Sequence, residues 1–270
     1  MPIEIKRNIT RIAEQDFHKI DFEITGLAFA IHNEFGRLWN EKIYQNELAN
    51  RCREAGFKNV ETEVPVIVRH KSFHKDYSID LLVQDSIVYE LKTVNRLNPE
   101  HDKQALNYLF LLGLQHGKLI NFRPASVEKR FVSTSLLPKD RYDLAFDDKQ
   151  WLELDDDSAW LKRLIMELLA DWGAFLETNL FYEAIYHFRG GEEQVVKDID
   201  VVHKGANLGK HKFFLLNQNI AFQLTAITKG VENFEQHLKR FIRLTKFNAM
   251  QWINFNHRVI SFKTIPNRNK

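Results

Sequence analysis

The stretch "IDLLVQDSIVYELKTV", residues 79–94, holds two short apolar segments separated by Gln84, Asp85 and Ser86, the pattern of an antiparallel hairpin with a polar turn. Asp80, Glu90 and Lys92 interrupt what is otherwise a core-forming run. Because Asp80 and Glu90 are placed symmetrically about Asp85, such a hairpin makes them cross-strand neighbours on one face. Two carboxylates there repel, by a fraction of about 1 kcal/mol at a surface and by more once desolvated. A divalent cation offsets the repulsion, and the strand period of two returns Lys92 to the same face. Hard oxygen donors with open positions suit Mg²⁺ or Mn²⁺, which binds phosphate, lowers the pKa of a bound water and steadies a leaving oxygen. The chemistry this favours is phosphodiester hydrolysis.

Working outward, "DFEITGLAFAIHNEF" predicts a helix over 21–35 that stops at Gly36. A second is predicted over 38–55, with Trp39, Ile43, Leu48 and Cys52 as its inward stripe. "VETEVPVIVRH" and "YSIDLLV" read as strands, and His70 and His74 are expected to be exposed beside the turn between them. "PEHDKQALNYLFLLGL" reads as a helix opened by Asn98-Pro99, and "GKLINF" and "KRFVST" as two closing strands. Two helices, three strands, one helix and two strands predict an α/β unit with a mixed sheet.

The order then recurs. "LINFR" near Asn121 returns as "WINFN" near Asn254, an offset of 133 residues that also aligns Leu82, Ile87 and Leu91 with Leu215, Ile220 and Leu224. The expected organisation is a first domain over 1–138, an acidic linker or loop over 139–157, and a second copy over 158–270. At the same offset Asp80, Glu90, Lys92, Gln104 and Tyr108 become Phe213, Gln223, Thr225, His237 and Phe241, and Glu177 is aligned with Glu41 after a small shift. An apolar frame kept without its charges implies that the fold does not need them, so the acids of the first copy point to chemistry.

Asp80, nine intervening residues, then Glu90-Leu91-Lys92 resembles the core of the PD-(D/E)XK nuclease superfamily, with "ID" for the nominal "PD". "AIHNEFGRLWNEKIY", "QALNYL" and "GKLINF" narrow the resemblance to the GxxExxY proteins of that superfamily, over about residues 24–133. The resemblance implies two tandem restriction-endonuclease-like domains, each a mixed central sheet flanked by helices, with only the first catalytic. It implies Asp80, Glu90, Glu41 and the Leu91 carbonyl as Mg²⁺ or Mn²⁺ ligands, Lys92 as the residue that orients or activates water, and Gln104, Tyr108 and Tyr44 as residues near substrate. Leu38 departs from the motif's opening glycine, and Ser78 stands where an arginine is expected.

The 38 basic and 36 acidic residues nearly cancel, so a nucleic-acid partner must be held by local charge. DNA is expected in preference to RNA. The lone Cys52 excludes an internal disulfide and a cysteine-based zinc site, and no apolar run is long enough to span a bilayer, which predicts a cytoplasmic protein. The competing reading is a catalytically silent nucleic-acid-binding or protein-interaction module on a nuclease fold.

Overall fold

The computed structural model describes residues 2–267, in two units: one comprises residues up to 69 with 74–140, the other 70–73 with residues from 141 onward. The first contains β1 (Ile3–Ile5), α1 (Glu14–Phe35), α2 (Glu41–Glu54), β2 (Val60–His70), β3 (Phe73–Val83), β4 (Ile87–Lys92), α3 (Pro99–Leu112), β5 (His116–Asn121) and β6 (Glu128–Ser133). Their sheet runs β1-β2-β3-β4-β5-β6, with β4 and β5 parallel and β1–β2, β3–β4 and β5–β6 antiparallel. A parallel pair needs a crossover, and α3 supplies it. Asn98 starts α3 with a capping box and Pro99, and Gly113 ends it in the left-handed conformation.

Helix α1 begins at Glu14, a turn and more before the expected start at Asp21, because Phe17 joins the core formed with Ile24, Ala28 and Ile31. Asp21 is itself buried and binds the Lys118 ammonium, a non-local pairing invisible in helical periodicity. Helix α2 starts three residues later than expected, capped by the Asn40 side chain, so Trp39 belongs to a turn and is 51% exposed rather than part of the inward stripe. β1 was not foreseen: three residues carry no usable period, and pairing with β2 makes the strand.

The second unit contains β7 (Ala145–Gln150), α4 (Asp156–Trp172), α5 (Thr178–Phe188), the single turn α6 (Glu192–Val195), β8 (Val196–His203), β9 (Ala206–Leu215), β10 (Ile220–Thr225), α7 (Val231–Ile242), β11 (Ala249–Asn256) and β12 (Val259–Pro266). Its sheet order is β7-β12-β11-β10-β9-β8, with β10 parallel to β11. The expected linker over 139–157 is corrected: it holds a 3-10 turn, all of β7 and the start of α4. β7 escapes detection because all six residues are exposed, and it is a strand through backbone pairing with β12. His70, expected to be exposed, is also corrected: it is buried, its Nδ1 2.6 Å from Asp171 Oδ2.

The pairing registers repeat at the offset of 133. Glu90 opposite Leu119 becomes Gln223 opposite Trp252, Leu82 opposite Val88 becomes Leu215 opposite Ala221, and Gly117 opposite Val132 becomes Met250 opposite Ile265. Helices α1 and α4 both end on glycines, Gly36 at φ 70° and Gly173 at φ 72°, a conformation that strains any residue bearing a Cβ. The repeated asparagine has one task in both units. Asn121 accepts from Val94 N at 3.0 Å and donates to Val94 O at 2.7 Å; Asn254 accepts from Ile227 N at 2.8 Å and donates to Ile227 O at 2.9 Å. Each buried amide thus satisfies the backbone of the chain leaving the central strand.

Candidate active site

Strands β3 and β4 pair Leu81 with Tyr89, Leu82 with Val88 and Val83 with Ile87, and Asp80 and Glu90 are the residues just beyond that ladder, close enough for the charge of Asp80 to act on Glu90. The turn is tight. Gln84 and Asp85 both have positive φ, 56° and 53°, Ser86 N donates to Val83 O at 3.1 Å, and the Asp85 carboxylate accepts from Asn59 at 2.6 Å.

Glu90 is only 1% exposed, on a strand buried along almost its whole length. Lys92 Nζ donates to Glu90 Oε1 at 2.6 Å, while Glu90 Oε2 is buried with no hydrogen-bond partner. Asp80 Oδ2 accepts from Leu91 N at 2.8 Å. Burial first, and then the Asp80 charge, push Glu90 up to about 8 despite Lys92. Burial also raises Asp80, to about 6, with Glu41 and Glu63 adding to it and the Leu91 N–H and Lys92 opposing. Desolvation works against the Lys92 ammonium, but the charge and hydrogen bond of Glu90 outweigh it, so Lys92 titrates above its ordinary value. At neutral pH the two acids together therefore retain about one proton.

Glu41 is the first residue of α2 and half-buried. Its charge raises the proton affinity of both Asp80 and Glu90, after burial and nearer groups have acted, so it lies within electrostatic reach of them. Even so, among the described residues no group of three or more histidine, cysteine, aspartate or glutamate side chains converges to hold a metal. The structure therefore brings together Asp80, Glu90 and Lys92, with Glu41 at the margin of the group rather than inside a common ligand shell.

Two neighbours escaped sequence reading. Gln45, one turn beyond Glu41, is buried and donates to Asp80 O at 2.6 Å, tying α2 to the β3–β4 hairpin. Glu63, at φ 54°, is held down to about 2 by hydrogen bonds from Lys42 and then Ser78. Ser78 thus serves Glu63 (2.5 Å) at the position where an arginine is expected. The i, i+4 relation of Gln45 to Glu41 was a usable signal for the first; Glu63 had none.

Tyr44 is a correction: it is fully buried, stacks on Phe122 with ring centroids 4.4 Å apart, donates to Gly36 O at 2.7 Å and accepts from Trp39 N at 3.3 Å. It holds the α1–α2 corner and presents nothing to a substrate. Gln104 donates to the Tyr108 hydroxyl at 3.1 Å, and the Tyr108 ring meets Tyr77 edge-on, which sets both on the β3 side of α3.

At the matching positions of the second unit the chemistry is different. Phe213 stacks on Phe241 at 4.9 Å, Gln223 donates to the Tyr182 hydroxyl at 3.1 Å, and Thr225 donates to Asn254 at 2.7 Å while accepting from Trp252. Glu177 is not the counterpart of Glu41. It precedes α5 at the N-cap, as Asn40 precedes α2, so Thr178 occupies the Glu41 position.

A mixed sheet with a helical crossover and an acid-acid-lysine set on its central hairpin is the architecture of restriction-endonuclease-like domains, and both units have that sheet. Residues 18–132 match the family model described as the PD-(D/E)XK nuclease superfamily, a segment spanning α1 to β6 and every residue of the acid cluster. No curated protein and no solved structure matches the chain.

Proposed function

We propose that the protein is a metal-dependent nuclease that hydrolyses phosphodiester bonds in DNA, or in RNA, with its active site in the first unit and a degenerate, non-catalytic copy of the same domain in the second. The observation that carries this is Glu90: a fully buried carboxylate oxygen with no partner, near a second carboxylate whose charge opposes its ionisation. A structural role gives no reason for that arrangement, since the second unit builds a sheet of the same strand order with Gln223 and Phe213 at the matching positions. A divalent cation fits it. Asp80 and Glu90 would be the principal ligands, with the Leu91 carbonyl beside them and Glu41 at their margin, and most coordination positions left for water and phosphate.

Bound there, Mg²⁺ or Mn²⁺ would supply Lewis-acid stabilisation of the phosphate and a lowered pKa for water. The chain's own groups do the rest. Ionised Asp80 and Glu90 set the negative field, and the Leu91 N–H fixes Asp80 so that only one of its oxygens remains to be committed. Lys92, released from Glu90 Oε1, has an ammonium free to orient the attacking water or meet a phosphate oxygen. Gln45 keeps the Asp80 backbone in register with α2 and hence with Glu41.

The test is hydrolysis of single-stranded and duplex DNA and RNA with Mg²⁺, with Mn²⁺ and with chelator, beside Asp80→Ala. Metal-dependent cleavage lost in the variant is expected. Equal cleavage by the variant overturns the site, and no cleavage on any substrate returns the chain to the silent-module reading.

A further inference from the structure

The turn between α1 and α2 exposes what a folded chain ordinarily hides. Leu38 is 81% exposed and Trp39 51%, side by side, with the exposed Arg37 before them and Glu41 two residues after. The turn is also rigid. Trp39 Nε1 donates to Phe35 O at 3.0 Å and Trp39 N to the Tyr44 hydroxyl at 3.3 Å. Arg123 donates to Arg37 O at 3.0 Å, to Trp39 O at 3.4 Å and to Thr93 O at 3.3 Å. Thr93 directly follows Lys92, so one guanidinium fastens the exposed turn to the end of the catalytic strand. An indole fixed by its own N–H and by its backbone on both sides has given up little further entropy to lose on binding, which is what a stacking platform requires.

Trp39 also lies against a shallow cavity of about 400 Å³ shared with Glu34, Phe35 and Ile43. Cation, aliphatic side chain and aromatic ring in sequence match one unit of a nucleic-acid strand, a phosphate beside an unstacked base. In a duplex the base faces are covered by their neighbours, so an exposed indole gains a partner only where a base is unpaired. Resting on the nuclease reading above, we propose that Arg37, Leu38 and Trp39 form a base-stacking step beside the active site, and that the substrate is a nucleic acid presenting unpaired bases there: single strand, frayed end or flap.

The test is binding, read apart from cleavage. In a Glu90→Gln background with chelator, labelled (dT)₁₂, (U)₁₂ and a 12-base-pair duplex are titrated by anisotropy and by tryptophan fluorescence. Single strands are expected to quench the indole emission and to bind more tightly than duplex, and Trp39→Ala to weaken single-strand binding about tenfold while Trp39→Phe retains most of it. The deoxy and ribo strands separate DNA from RNA. Unchanged single-strand affinity in Trp39→Ala overturns the proposal, as does an equal loss on duplex. So does concentration-dependent self-association abolished by Trp39→Ala, which would make the step a contact between copies. Trp39-dependent binding without any hydrolysis would sink the nuclease reading alone; hydrolysis without Trp39 dependence would sink only this one.

Discussion

Replacing Glu90 by glutamine should stabilise the first unit, and by an amount that depends on pH. Glu90 titrates near 8 in the folded chain against an ordinary value of 4.5, so the folded state binds the extra proton. Below 4.5 both states are protonated and nothing is lost. Between 4.5 and 8 stability falls as pH rises, by about 1.4 kcal/mol per unit, and above 8 the loss is constant. At pH 5 the cost of the native carboxylate is about 1 kcal/mol and at pH 7.5 about 4 kcal/mol, so the advantage of Glu90→Gln grows by about 3 kcal/mol across that interval. The amide keeps an oxygen to accept from Lys92 and carries no charge to desolvate. Amide exchange of the peptide covering residues 87–92, with chelator present and corrected for intrinsic rates, reads opening of this unit separately from the other. Millimolar Mn²⁺ should then erase the advantage, because only the carboxylate gains from the cation. A variant no more stable than the parent at pH 7.5, or an advantage that does not change with pH, refutes the burial and repulsion on which the site rests.

Because the acids share about one proton at neutrality, calorimetric titration with Mn²⁺ in buffers of different ionisation enthalpy should show release of close to one proton per site at pH 7, falling toward zero by pH 9. Lys92→Gln should retain Mn²⁺ binding and lose about 10²- to 10⁴-fold in the rate of cleavage, a split that a purely structural lysine would not produce. Asn121→Ala and Asn254→Ala should each destabilise their own unit by about 2–3 kcal/mol, seen in exchange of the peptides after β4 and β10, since each leaves a backbone N–H and carbonyl unsatisfied. Tyr44→Phe should cost about 1 kcal/mol of stability, read in exchange of the peptide at the α1–α2 corner, through its lost bond to Gly36.

The hairpin and its turn were legible along the chain because each is a local consequence of strand period and turn chemistry. The duplication was legible for a related reason: apolar register is preserved when side-chain chemistry is not, and the ladders repeat at the spacing the sequence carries. Helix boundaries were less so. Glu14, Asn40 and the strand at Ala145–Gln150 depend on a distant core residue, a capping side chain and a backbone partner, none of which leaves a period behind.

By itself, then, the chain of residues determined the central hairpin, the helical crossover after it and the two copies, since all are encoded in spacing. Only the tertiary structure decided how deeply Glu90 is buried, that Gln45 and Glu63 border Asp80, that Tyr44 serves the core and that Trp39 faces out. Burial and proton affinity are set by everything that excludes water from a group. Most of what excludes water from Glu90 lies on strands and helices far away in sequence.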